Sequence, residues 1–347
     1  MPFFRLISTL LLLILNGSVV AQIHDTLATD KARILAGMKP VSHFRDLAGR
    51  AAFQTHRQEI KKGWSYVKNN DIDAIRAWRA TNEVLKGTTQ DVLFYPFSGP
   101  DFLYADAFFP DRSHYIMGGL EDCGTLPRLN TLSEATFSDY LYSLRHSFRY
   151  MNKVGYFVTK HMLEDFKTGH LNGAVHIIAY YLVRTKHLIR KIRYFHLNSA
   201  GQKVYHDPAQ NDYYKILGLE ISFIKQGKHK GKTLDYFSMD LSNENLSLNP
   251  AFFTYLTGMG KFATFLKSSS YLLHNGEFSA VRDTLLSQSN LILQDATGVP
   301  YKILKRQTNK TIRLYGSYTK PIKDFDYRYQ PALKTDIEQE KAESLGF

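Results

Sequence analysis

Val92-Leu93-Phe94-Tyr95-Pro96-Phe97-Ser98-Gly99-Pro100-Asp101 is a short apolar run halted by a loop in which two prolines and a glycine forbid regular structure. His114-Tyr115-Ile116-Met117-Gly118-Gly119-Leu120-Glu121-Asp122 repeats the pattern, an apolar run leading into a Gly-Gly pair and two carboxylates. Between them, Phe102 to Phe109 reads as a short helix stopped by Pro110. Strand, loop, helix and strand in that order describe a βαβ unit, whose strands are parallel because the helix carries the chain back to the starting edge.

Downstream, Thr131 and Glu134 have capping-box spacing. Phe137, Leu141, Leu144, Phe148 and Met151 then form one apolar stripe of an amphipathic helix, and Leu171, Ala174, Val175, Ile178 and Leu182 form a second. The period changes to two where Leu217, Leu219, Ile221 and Phe223 alternate with Gly218, Glu220 and Ser222. Runs at 189–197, 215–224 and 233–241 therefore read as an antiparallel meander. Helices are expected near 250–257 and 278–287, strands near 261–267, 290–295, 301–305 and 311–317, and a charged helical tail after Gln330. Upstream, Phe44 to Asn69 and Asp71 to Leu85 read as helices anchored by Trp64 and Trp78. The fold class expected is α/β, a mixed sheet with flanking helices, an antiparallel meander and a helical N-terminal extension. Residues 22–88 form the helical region and 89–347 the α/β part, continuous as one globular unit.

Residues 1–21 have the order of a cleavable export signal: Arg5, an apolar run from Leu6 to Leu15, then Val19 and Ala21 at the small-residue positions before Gln22. The apolar run is too short for a comfortable membrane helix, and no later segment supplies 18 unbroken apolar residues. A periplasmic or extracellular protein without a transmembrane span is the expectation. Of the charged residues, signal removal takes only Arg5, so a chain with 44 Lys and Arg against 32 Asp and Glu stays strongly basic. That surplus favours acidic partners. Lys and Arg are scattered, and export removes the protein from most nucleic acid, so a nucleic-acid partner is not expected. The single cysteine, Cys123, excludes internal disulfides and multi-cysteine zinc sites and is expected to be buried.

Open α/β sheets place ligands beyond the carboxyl ends of their strands. That rule gathers Ser98 and Asp101 after the first strand, Glu121 after the second, and Lys267, Ser270 and His274 in the run Lys267-Ser268-Ser269-Ser270-Tyr271-Leu272-Leu273-His274. Asp295 joins them from the turn Asp295-Ala296-Thr297-Gly298. Asp101, Glu121, His274 and Asp295 are the candidate acids and bases, because proton transfer needs titratable groups within hydrogen-bond reach of a substrate. Ser98, Lys267 and Ser270 are the candidate substrate-binding residues, with Ser270 and His274 on one face if Tyr271 begins an α-helix. Each has a structural counterpart: Asp101 as a helix cap, Ser270 as another, Asp295 as an ordinary turn residue.

Glu121 follows Gly99 at the distance of the acidic residue in a nucleotide-binding βαβ unit, yet G-x-G-x-x-G is absent and no cofactor is assigned. The histidines lack zinc-site spacing and the aspartates lack the order of a calcium loop, so no metal site is assigned. The expectation is an envelope or extracellular hydrolase acting on a polar or acidic polymer by carboxylate and histidine acid-base chemistry. The alternatives are a non-catalytic binder of a glycan, peptide or lipid headgroup, or a structural partner in an envelope complex.

Overall fold

The computed structural model describes residues 25–87, 90–149, 162, 164–166, 170–207, 217–267, 269–307, 311–318 and 330–344. Residues 1–21, expected from the sequence to be an export signal, and Met151 lie outside them. The chain enters through α1 (Thr26–Leu35), capped by the Asp25 side chain on the Ala28 amide. Next come α2 (Ala51–Val67), a π-helical turn over Lys68–Ile72, α3 (Asp73–Thr81) and α4 (Glu83–Lys86). Then β1 (Val92–Tyr95), α5 (Phe102–Phe108) and β2 (His114–Gly119) form the unit read from the sequence, and β1 and β2 are parallel from Val92↔His114 to Tyr95↔Met117.

Two helices follow, α6 (Glu134–Ser147) and α7 (Val175–Arg184). The cap of α6 is Ser133 rather than Thr131. Ser133 is extended and accepts from the Thr136 amide, whereas Thr131 closes a separate 3-10 turn. Phe137, Leu141, Leu144 and Phe148 are buried as the stripe requires. All nine residues Val175–Val183, the polar His176 among them, are buried, because α7 packs against α1, α5 and β3 (His187–Leu197). The meander is β3 (His187–Leu197), β4 (Lys203–His206), β5 (Leu217–Lys225) and β6 (Gly231–Ser238). After it come α8 (Asn243–Leu248), α9 (Ala251–Gly258), β7 (Phe262–Leu266), α10 (Ser279–Gln288) and β8 (Ser289–Gln294). The chain closes with α11 (Tyr301–Leu304) and α12 (Pro331–Ser344).

All eight strands form one mixed sheet in the order β4-β3-β5-β6-β2-β1-β7-β8. The five strands from β6 to β8 are parallel, and β5, β3 and β4 extend them as an antiparallel wing. From β1 the chain builds outward through β2 and β6, then returns to build the other way through β7 and β8. The order therefore reverses between β1 and β7, and their carboxyl ends flank the crevice where open α/β sheets bind ligands.

Strand alternation sends Leu93, Tyr95, Tyr115, Met117, Tyr236 and Phe265 into a core shared with α1, α2, α5, α6 and α7. Phe94, Ile116, Phe195, Phe237 and Phe262 go to the opposite face, under α8, α9 and α10. Trp64 and Trp78 are half-buried against the first core. Two strands expected near 301–305 and 311–317 are absent. Tyr301–Leu304 is a single helical turn because Pro300 turns the chain and its carbonyl accepts from Ile303 and Leu304, while 311–318 runs without a ladder. Among the described residues no helix is long and apolar enough to cross a membrane.

Candidate functional site

The loop leaving β1 reaches Asp101 through two residues with positive φ, Phe97 at 56° and Gly99 at 49°. Ser98 pins this loop to β2: its hydroxyl donates to the carbonyls of Gly99 and Gly118, at 2.9 and 3.2 Å, and accepts from the Gly118 amide at 3.2 Å. Ser98 thus fixes strand-to-loop geometry and is itself buried.

Asp101 caps α5 by accepting from the Tyr104 amide at 3.3 Å. Its other oxygen receives the Tyr95 hydroxyl at 3.0 Å and the Lys267 ammonium at 3.0 Å. The structure therefore joins a residue at the end of β1 to one at the end of β7, across the point where the strand order reverses. Burial pushes the Asp101 carboxyl above its ordinary range, and the nearby Lys267 charge only partly opposes this. Lys267 also lies 3.6 Å from the centroid of the Tyr104 ring, whose hydroxyl donates to Asp71 at 2.8 Å.

Glu121 folds back over the two loops. It is 1% exposed, and the Tyr236 hydroxyl donates to its carbonyl at 2.8 Å, with its carboxylate at 3.2 Å. A β-carbon at Gly119 would sit 2.4 Å from that carboxylate and 2.8 Å from the Gly99 Cα, so only glycine admits this packing. Gly119→Ala is accordingly expected to cost about 1–3 kcal/mol, as overpacking does. Urea titration of the purified variant checks it, and an unchanged midpoint would contradict the tight packing of Glu121.

Asp295 is an exposed turn residue: its carboxylate accepts from the Thr297 amide at 2.8 Å and the Thr297 hydroxyl at 2.6 Å. It contributes to the electrostatic environment of the Tyr95 hydroxyl. Ser270 and His274 do not share an α-helical face. They lie in a 3-10 turn, Ser269–His274, in which residues three apart, not four, eclipse. The Ser270 side chain lies outside the described residues. His274 is half-buried at the end of that turn, and Asp101 takes its hydrogen bonds from Tyr95, Tyr104 and Lys267, none of them a histidine. Asp101 and Lys267 are thus brought together, Asp295 lies at the same end of the sheet, and Ser98 and Glu121 act as loop staples.

From Lys267, Tyr104 and Asp295 a groove of about 1330 Å³ runs along β7 and β8. Its inner wall is α3 and the two strands, and its outer wall is 311–318 with α12. Trp78 forms part of the floor, edge-to-face with Phe108 at 6.0 Å and with Tyr315 at 5.3 Å. The described lining includes three cations, Lys261, Lys267 and Arg313, against one carboxylate, Asp295.

A second polar cluster went unread in the sequence. Asp235, wholly buried in β6, accepts from Lys203 at 2.6 Å and lies 2.6 Å from His114 Nε2, with the Tyr255 hydroxyl also donating to it. Lys203 continues to Glu220 at 2.9 Å, which also pairs with Arg193 and accepts from Tyr205 at 2.8 Å. Burial pushes Asp235 and Glu220 up, but the hydrogen bonds and cations outweigh it and hold both below the usual carboxylate range. With two cations for two carboxylates, the cluster is internally balanced and ties the wing to the parallel strands. The available signal was Asp235 between Leu234 and Tyr236, a charge inside a strand run. Cys123 is buried, and burial pushes its thiol up to about 12. Among the described residues no three His, Cys, Asp or Glu side chains converge as a metal set. No protein-family model, curated protein or solved structure matches this chain.

Proposed function

We propose that this protein is an exported binding protein that takes an extended anionic ligand in the groove along β7 and β8. One observation carries the reading: a cation-lined groove opens from the point where the strand order reverses, the place that favours ligands in open α/β sheets. The carboxylates nearest that point support binding over hydrolysis, since Glu121 is packed between loops and Asp101 is committed to a cap and an ion pair. Export rests on the order of residues 1–21.

The chain has two tryptophans, and only Trp78 is among the groove residues. In a Trp64→Phe background, anilinonaphthalene sulfonate, an aromatic anion, is expected to quench Trp78 by energy transfer with saturation. In a Trp78→Phe background the transfer from Trp64 is expected to be much smaller. Equal transfer in the two backgrounds would overturn the groove as the site.

A second reading, hydrolysis of a polar or acidic polymer, is favoured by Asp101, a buried carboxyl beside Lys267 whose pKa burial raises. Turnover of an anionic polysaccharide by the wild-type chain, lost in Asp101→Asn, would bring that reading forward; absence of turnover leaves binding.

A further inference from the structure

β8 ends the sheet on its side. In the β7–β8 ladder the Asp295 amide donates to the Leu266 carbonyl at 3.1 Å, and the register runs Ala263↔Leu291, Thr264↔Ile292, Phe265↔Leu293 and Leu266↔Gln294. Main-chain groups alternate in direction along a strand, so Leu291, Leu293 and Asp295 direct theirs at β7. Ile292 and Gln294 direct theirs outward, whereas at Asn290 the register slips, Phe262 pairing with Ser289 and Ala263 with Leu291. No described residue hydrogen-bonds the main chain of Ile292 or Gln294 on that outer side. Every residue of β8 lines the groove, so this open edge forms part of the slot described above.

We propose that the groove docks an extended acidic polypeptide segment, which adds to β8 as a further parallel or antiparallel strand. The inference rests on the groove being the ligand site and names its ligand class. Two independent features select a polypeptide. Outward N–H and C=O groups recurring at every second residue match the repeat of another main chain, which a glycan or a lipid does not reproduce. The charges match as well: Lys261 and Arg313 line the groove and form no ion pair among the described residues. Lys261 precedes β7 and Lys267 follows it, so these cations mark the two ends of a span of roughly 20 Å at about 3.3 Å per residue. A segment of about six extended residues covers that span, with side chains on one face meeting Trp78 and Tyr315.

The test uses a fluorescein-labelled nonapeptide of alternating valine and glutamate, read by anisotropy, with hydrogen exchange of the protein as a second readout. Ile292→Pro removes one outward N–H while Leu291, Leu293 and Asp295 keep their main-chain groups on β7. Expected are saturable binding, slowed exchange at Ile292 and Gln294, and an affinity reduced about tenfold in Ile292→Pro. A nonapeptide N-methylated at alternate residues repeats the test on the wild-type protein, should the proline variant fold poorly, and is expected to bind at least about tenfold more weakly on one methylation phase. If the dye binds and the peptide does not, or if the peptide binds equally to wild type and to Ile292→Pro with no amide protection, strand addition is overturned while the groove stands. If neither binds, both readings fall.

Discussion

Asp235→Asn is expected to destabilise the protein by about 3–5 kcal/mol, because it leaves the mostly buried Lys203 ammonium facing a neutral amide. The loss propagates, since Lys203 also holds Glu220, and Glu220 holds Arg193 and Tyr205 on the outer strands of the wing. Lys203→Met should cost a similar amount for the converse reason. The double variant should cost clearly less than the two singles together, since removing both charges leaves fewer of them buried without a partner. Urea denaturation of the three proteins gives the coupling directly. Singles that each cost under about 1 kcal/mol would contradict a buried, mutually dependent cluster.

Acid should destabilise the protein well above the range where carboxylates titrate. Burial holds His56, His176 and His187 neutral, pushing each down to about 3 from an ordinary 6.5. His176 is fixed in that state between the Tyr140 hydroxyl at 2.8 Å and the Asn172 side chain at 3.0 Å. The unfolded chain takes up these protons below pH 6.5 and the folded chain does not until about 3. Each histidine therefore withdraws stability as pH falls through that window, by about 2 kcal/mol at pH 5. Together the three withdraw on the order of 5 kcal/mol, which rivals the whole net stability of a typical domain.

Asp101 and Asp106 act in the opposite sense. Burial raises both carboxyls, so their contribution is fully present below the ordinary carboxylate range and is lost as pH rises through their raised folded values. They moderate the acid limb. The expected result is a urea midpoint that falls steadily from pH 7 to pH 5, with the slope reduced by about a third in His176→Gln. A flat midpoint across that interval would contradict burial of the neutral rings.

Most of the framework was legible because its signals are local. Two prolines and a glycine after Val92–Tyr95 mark a strand end whatever surrounds them, and the alternation through Leu219, Ile221 and Phe223 marks a strand with one core face. Local signals failed where tertiary context decides. Thr131 has the spacing for a cap, but Ser133 has the backbone geometry. Tyr301 meets Leu333 and Ile337 of α12, and Ile303 and Leu304 pack against the core under α8 to α10, instead of joining a neighbouring strand.

For the site, the rule that ligands sit beyond strand carboxyl ends selected Ser98, Asp101, Glu121 and Lys267, which do lie at that end of the sheet. Their chemistry was not legible, because whether a carboxylate is available depends on what caps, pairs with or covers it. Glu220 shows the same limit: alternation placed it away from the apolar face, yet that side of the sheet is covered and Glu220 is 5% exposed. The groove was hidden more deeply. It depends on β8 being an edge strand and on Trp78 of α3 meeting Tyr315, a contact across more than 200 residues of chain.

Hydrogen exchange across the whole chain, with and without saturating anilinonaphthalene sulfonate, tests the ligand site most directly. Protection is expected in Ser289–Gln294, in 311–318 and in Asp73–Thr81, with the wing strands β3 to β5 unchanged. Protection confined instead to Pro96–Asp101 and Gly118–Glu121, or to the cluster around Asp235, would contradict the groove as the binding site.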